Sequence, residues 1–330
     1  MRGGGLPEPP PAGPHPPFPA ARGARRDWDE LPLELRAELE RGLGDSIVAA
    51  ESIPHGFSPG VAARIRLARG GSAFVKALSA GWNPDAASAH RREARITPRL
   101  PPGAHAPQLL LAIDAEPWIA LAFEDVGGRP PDLPWRPAEV ERVTATLADL
   151  AVALTPSPVE LAPVIEAEDF SELARLAVAR DGGDPLGDLD PWLVAHLDRL
   201  VELEAAAPAA AAGDTLLHAD IRADNVVLTD QRVWLVDWPH AGVGAAWVDL
   251  LAMLPSVAMQ GGPGPEAVFA DHPVATGADP EAVTAVVAAL AGFFIGHGRE
   301  PELPELPGLR VFQRRQGTEA LRWLRQRTGT

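Results

Sequence analysis

"HADIRADN", residues 218–225, runs directly into "NVVLTDQRVWLVDW", residues 225–238. The first stretch holds Asp220 and Asn225 five positions apart on a loop. The second reads as a short β hairpin whose last strand ends at Asp237. Two carboxylates and a carboxamide therefore meet at one end of a hairpin. Their oxygens are hard ligands suited to Mg²⁺, and a positioned carboxylate can also take a proton.

The spacing matches the kinase pattern His-x-Asp-x-x-x-x-Asn followed by a strand-terminal Asp. In that pattern Asp220 accepts the hydrogen bond of an attacking hydroxyl and takes its proton. Asn225 and Asp237 supply oxygen ligands for Mg²⁺. Arg222, two residues after Asp220, is close enough to neutralise charge on a phosphoryl group in transfer. Two other readings stay open at this level. Asp220 and Asn225 could cap their own loop, or His218, Asp220, Asp237 and His240 could ligate the metal of a hydrolase.

Upstream, the pattern is mostly strand. "WDELPLELRAELERGL" (28–43) places Leu31, Leu35, Leu39 and Leu43 at helical spacing. Strands are expected over 46–53, 61–68 and 72–78, with the Pro/Gly turn "PHGFSPG" (54–60) between the first two. A helix is expected over 85–97, between Pro84 and Pro98, then strands over 108–114 and 117–125. Beyond the break "VGGRPPDLP" the chain reads as helices over 137–153, 168–180, 191–210, 245–259, 280–296 and 308–327. A β-rich lobe followed by a helical one is α+β.

At this point the sequence resembles the aminoglycoside phosphotransferase family, kinase-like small-molecule phosphotransferases related to choline and homoserine kinases. "LLHADIRADNVVL" followed by "WLVDWPHAGVGAAWVDLLAM" is similar to its catalytic loop, metal-binding Asp and trailing helix. The resemblance implies a protein-kinase-like two-lobe fold: a small antiparallel β-sheet N-lobe at 27–126 and a larger, mainly helical C-lobe at 127–330. It implies a loop at Gly56, Phe57, Ser58 and Gly60 whose backbone N–H groups cover ATP phosphates. It further implies Lys76 on the α- and β-phosphates, Glu93 as its partner, and a hinge over 123–126, with Glu124 and Val126, that receives adenine. Asp249 is implied as a buried carboxylate bracing the catalytic loop. The cofactors implied are ATP, or GTP in its place, and Mg²⁺.

The chain departs from the pattern in places. Ala219 stands where many relatives have glycine, "DWP" replaces "DFG", and the glycine loop is not G-x-G-x-x-G. No activation segment or "APE" motif precedes the next helix, which disfavours a protein kinase. A nucleotide-binding pseudokinase with a regulatory role is the remaining alternative.

Composition bounds the rest. Lys76 is the only lysine among 29 basic residues, and there are no cysteines, which excludes disulfides and thiolate sites. Residues 1–26, with eight prolines in the first twenty positions, are expected to form a disordered leader outside the fold. No apolar run of the roughly 18–20 residues that span a bilayer was evident. With no signal-like segment, a cytoplasmic protein is expected. The net charge of −16 is concentrated in the middle of the chain, because ten arginines lie in 1–26 and 308–330. Such a field repels nucleic acid and draws cationic small molecules. The expected partner is a hydroxyl-bearing small molecule, such as an aminoglycoside, with no nucleic acid and no membrane. The expected state is a monomer or weak dimer. "DGGDPLGDLD" (181–190) reads as a solvated turn or as part of a cationic-substrate pocket.

Overall fold

The computed structural model of the protein describes residues 25–53, 56–57, 59–164, 173–182 and 188–329. The small lobe is a six-stranded sheet of β1 (Arg25–Arg26), β2 (Ile47–Ser52), β3 (Gly60–Leu67), β4 (Ser72–Ser79), β5 (Leu109–Ala115) and β6 (Trp118–Glu124). β2, β3 and β4 form an antiparallel meander, and β6 rather than β5 lies beside β4. The helix α2 (Pro84–Ile96) makes that crossover. Its N-terminus is fixed by the Asn83 side chain, which accepts from the Ala86 N–H at 2.8 Å.

Strand alternation decides where the lone lysine points. Ala73, Val75 and Ala77 face one way and share a core with Leu35 and Leu39 of α1 (Leu33–Leu43). Residues of the opposite parity face α2, where Leu78, Ile119, Leu121 and Phe123 pack around Ala87. Lys76 belongs to this second face, so the sequence pattern alone sends it toward α2.

Four expectations need correction. The helix expected from residue 28 begins only at Leu33, because Pro32 has no N–H to continue a helix from Trp28–Glu30, which forms a separate 3₁₀ turn. Arg25 and Arg26, assigned to the leader, belong to the fold: they pair in parallel with Gly60 and Val61 of β3. The rest of the leader, 1–24, lies outside the described residues. The helix expected over 191–210 is interrupted at His196, which makes α5 (Pro191–Ala195) and α6 (Leu197–Ala210). The His196 ring stacks on Trp192 at 4.7 Å and its Nδ1 lies 2.8 Å from the Trp192 carbonyl, holding the break.

The fourth concerns the last helices. The helical lobe contains α3 (Pro137–Ala153), α4 (Arg175–Asp181), α5, α6, α7 (Val248–Met259), α8 (Pro265–Ala270), α9 (Pro280–Arg299) and α10 (Leu309–Thr328). α9 is long and apolar enough to cross a membrane, contrary to the sequence reading. Here it is the central core helix, packed against α4, α6 and α10, with Val287, Ala288 and Ala289 almost fully buried. The helix expected over 168–180 falls partly outside the described residues, and α4 covers its end.

Two small ladders complete the helical lobe. β7 (Thr215–Leu217) pairs with a late partner, β10 (Gly242–Gly244), and β8 (Val226–Leu228) pairs with β9 (Val233–Leu235). The segment 218–225 leaves β7 and enters β8, so both of its ends are pinned by hydrogen bonding. The chain just after the sheet lobe is stitched to β8 behind it. The Arg129 N–H donates to the Leu228 carbonyl at 3.0 Å, and the Leu228 N–H returns to Arg129 at 2.7 Å. A Cβ at Gly128 would lie 2.4 Å from the Leu228 oxygen, so only glycine permits this approach. The architecture is the expected α+β two-lobe arrangement, a sheet lobe followed by a helical lobe.

Candidate active site

Lys76 Nζ, on β4, lies 2.9 and 3.0 Å from the two Glu93 oxygens on α2 and 2.8 Å from Asp237 Oδ1 at the end of the β8–β9 hairpin. Lys76 and Glu93 are 9% and 2% exposed, so the ammonium and Glu93 are sheltered from water while Asp237 from the other lobe keeps a face open. Burial works against the lysine charge, but Asp237 and Glu93 outweigh it and its pKa is raised. Burial likewise opposes the Asp237 carboxylate, yet Lys76 holds it well below the usual carboxylate range. Glu93 also accepts from the Trp238 N–H at 3.3 Å, which ties α2 to the residue after Asp237.

The segment 218–225 is braced from beneath. Asp249, at the start of α7, accepts the His218 and Ala219 N–H groups, each at 2.8 Å. Burial pushes its carboxyl up to about 6. The brace holds Ala219 at φ 66, a left-handed conformation that favours glycine. That explains why glycine suits this position, and why alanine needs the support. His218 Nδ1 accepts from the Asp220 N–H at 3.2 Å and its Nε2 donates to the Val236 carbonyl at 3.0 Å. This fixes a neutral tautomer, consistent with a pKa that burial lowers to about 4. His218 is thus a spacer between the 219–225 segment and β9, with Trp238 packed on its ring at 4.6 Å. Trp238 is 1% exposed and its Nε1 donates to Leu235, so the residue in place of the "DFG" phenylalanine is locked in the core.

Asp220 faces the cleft between two donors. Arg222 Nη1 bonds its Oδ1, and Asn225 Nδ2 donates to its Oδ2 at 3.0 Å and to its carbonyl at 2.8 Å. Burial raises the Asp220 pKa, against the pull of Arg222, which makes it a better proton acceptor. Arg222 is itself held by Asp224 in a two-pronged pair at 3.1 Å. Because Asn225 gives its N–H₂ group to Asp220, its amide oxygen points elsewhere. Asp237 gives Oδ1 to Lys76, which leaves Oδ2. Two hard oxygens of this kind, completed by phosphate and water, are what Mg²⁺ takes beside a nucleotide, so the residues fit the metal.

The described residues of the expected phosphate-covering loop lie near these groups. Gly56 and Gly60 have φ 97 and 133. A Cβ at Gly60 would lie 2.8 Å from the Ala77 carbonyl, so β3 can begin beside β4 there only without a side chain. Phe57 reaches down to the other lobe: its ring meets Phe312 of α10 edge-on at 5.2 Å, with the Arg222 guanidinium 5.7 Å from its centroid. Ser58 lies outside the described residues. At the expected hinge, the Glu124 N–H donates to the Gln108 carbonyl at 2.8 Å, and Val126 is half-buried. Phe123, 5% exposed, stands beside Lys76 Nζ at 5.4 Å and forms the wall of the cleft there.

Several groups at this site were not singled out from sequence. His90 shares the buried face of α2 with Glu93, one turn earlier. Burial and the Lys76 charge lower it to about 4. The i, i+3 spacing to Glu93 was the available signal. Asp224 and Phe312 become visible only through their partners. The aspartates described in 181–190 do not form a free acidic pocket: Asp181, Asp188 and Asp190 pair with Arg180, Arg299 and Arg325. Among the described residues, no group of three or more His, Cys, Asp or Glu side chains is placed to hold a metal, which counts against the hydrolase alternative.

Comparisons with known proteins point the same way. No curated protein matches the chain. Its fold is similar to a thermostable mutant of aminoglycoside phosphotransferase APH(4)-Ia, in ternary complex with AMP-PNP and hygromycin B. That match has a TM-score of 0.60 at 14% identity and covers 91% of this chain and 100% of that one. Spectinomycin phosphotransferase APH(9)-Ia with ADP and spectinomycin gives 0.56 at 13%, covering 87% and 97%. Choline kinase LicA from Streptococcus pneumoniae gives 0.56 at 10%, covering 88% and 98%. The family model described as "Phosphotransferase enzyme family" matches residues 50–286, from the strand before the glycine loop to the middle of α9, and the chain belongs to that family.

Proposed function

We propose that this phosphotransferase moves the γ-phosphoryl group of ATP to a hydroxyl of a small molecule, with Asp220 as the proton acceptor. One observation carries the reading: Lys76 bridges Glu93 and Asp237 across the lobes, and Asp237 lies close enough to Asp220 to act on its charge. Nucleotide complexes among the structural neighbours support ATP as donor.

Phosphoryl transfer asks a protein mainly for positioning and charge, so the steps follow from fixed groups. Lys76 aligns the α- and β-phosphates under the loop at 56–60. Mg²⁺, held by Asn225 and Asp237 when bound, supplies charge neutralisation on the phosphate oxygens. The acceptor hydroxyl donates to Asp220 and gives up its proton as its oxygen bonds phosphorus. Arg222, released from Asp220 as the hydroxyl takes its place, faces the transferring group. Phe57 against Phe312 excludes water from the phosphates.

The net charge of −16 favours a cationic acceptor, and amino sugars such as those in the neighbouring complexes are the first class to try. An ATP-consumption screen of the purified protein against hydroxyl compounds, with and without amines, tests both points. Turnover confined to amine-bearing acceptors supports the reading. An amine-free compound as the sole hit contradicts the charge argument, and nucleotide binding without transfer to any acceptor favours a pseudokinase.

A further inference from the structure

The stretch 218–225 alternates in a way that sorts its side chains. Ile221 and Ala223 are buried in the core of the helical lobe, whereas Asp220, Arg222 and Asp224 share the opposite, partly open face. Arg222 has an extended backbone, with φ −142 and ψ 168, and stands at the head of the 3₁₀ turn Ala223–Asn225. The Asn225 N–H donates to the Arg222 carbonyl at 3.0 Å. One turn therefore sets Asn225 against Asp220 and Asp224 against Arg222 together.

Two carboxylates share Arg222, but unequally. Its Nε and Nη2 edge meets both Asp224 oxygens, each at 3.1 Å, and only Nη1 reaches Asp220. We propose that Asp224 is a positioning residue for phosphoryl transfer, gripping the far edge of Arg222 so that Nη1 stays in place when Asp220 turns to the acceptor hydroxyl; this rests on the phosphotransferase reading of the site.

A two-pronged pair fixes the plane of a guanidinium as well as its place, whereas a single bond leaves it free to turn. Without Asp224, the edge with two donors would be open to Asp220. The arginine would then follow the base instead of facing the transferring group. Asp224 has no other bonding duty. Among the described residues neither of its oxygens bonds a backbone N–H, and Arg222 is its one ion-pair partner. What Asp224 does for the site, it does through that arginine.

The test compares two probes on the full chain by calorimetry. Mg²⁺–AMP-PNP stands for the bound nucleotide, and Mg²⁺–ADP with aluminium fluoride stands for the phosphoryl group in transfer. Asp224→Ala is expected to weaken the fluoride complex by roughly ten- to a hundredfold and AMP-PNP by less than about threefold. Asp224→Asn, which keeps one accepting oxygen, is expected to fall between Asp224→Ala and wild type. In an Arg222→Ala chain, adding Asp224→Ala is expected to change the fluoride complex by less than about threefold, because the group it acts through is gone. Equal factors in the two backgrounds, or equal losses for the two probes, overturn the proposal, since Asp224 would then act on its own or on the fold. A fluoride complex untouched by Asp224→Ala overturns it too. Failure of the underlying reading has a different signature: a wild-type chain that binds neither probe, or an Arg222→Ala chain that binds the fluoride complex as tightly as wild type. Either result overturns that reading and the proposal with it.

Discussion

Lys76 Nζ and Asp237 Oδ1 stand 2.8 Å apart although 161 positions separate them in the chain, so the sheet lobe and the helical lobe share one buried charge. The contact puts the lysine where a nucleotide phosphate and a metal ligand would both reach it. It also means that the active geometry of each lobe depends on the other.

Lys76→Arg tests whether the compact ammonium matters. A guanidinium is longer and planar, and cannot donate to Glu93 and Asp237 from the same buried point. Loss of one or two charge-assisted bonds of about 1.5–3 kcal/mol each predicts a fall in kcat/KM of roughly a hundredfold or more. Activity equal to wild type would make the lone lysine an accident of codon usage.

Asp249→Asn tests the brace under the catalytic segment. Aspartate satisfies the His218 and Ala219 N–H groups with two oxygens, whereas asparagine offers one oxygen and sets an N–H₂ against the other donor. Chemical denaturation is expected to show a loss of about 2–3 kcal/mol. A change below about 0.5 kcal/mol would show that the segment holds its shape without the pair.

Much of this was legible in the sequence. Asp220, Asn225 and Asp237 lie within one short span, so spacing alone could expose them. Lys76 stands out as the chain's only lysine, at the end of a strand-like run, and Glu93 follows from the resemblance on the helix after it. Other features left weaker marks. Arg25 follows a leader rich in proline and glycine, and a two-residue parallel strand has no periodicity to read. β7 and β10 are three residues each, too short to show alternation. The charge-free run in α9 looks the same whether lipid or protein covers it, and only its packing against α4, α6 and α10 decides.

The aromatic contact between Phe57 and Phe312 predicts that loop closure contributes to nucleotide affinity. Phe57→Ala removes an edge-on pair and the Arg222 contact, together worth about 1–2 kcal/mol. The KM for nucleotide is expected to rise roughly 5- to 30-fold, with the melting temperature nearly unchanged. An unaltered KM would show that the loop closes without its tip.

The buried His90 predicts an acid-sensitive fold. Its folded pKa is about 4 against 6.5 for the free side chain. Above pH 6.5 it is neutral in both states and its stability contribution is complete. As pH falls toward 4, the unfolded chain binds a proton that the folded chain refuses, and stability drops. His218 acts in the same sense. Asp249, raised to about 6, acts in the opposite sense below that pH. The stability lost between pH 7 and pH 5 should be smaller in His90→Asn by roughly 2 kcal/mol, read from denaturant unfolding at both pH values. Equal losses would place the histidine in contact with water.

The most direct test is Asp220→Asn, measured for both turnover and Mg²⁺–AMP-PNP binding. Asparagine keeps the shape and can still meet Asn225, but cannot take the hydroxyl proton. The expected result is a fall in kcat of roughly a thousandfold or more with nucleotide affinity within about threefold of wild type. Turnover that survives, or an equal loss of turnover and binding, would contradict the role assigned to Asp220 at the centre of the cleft.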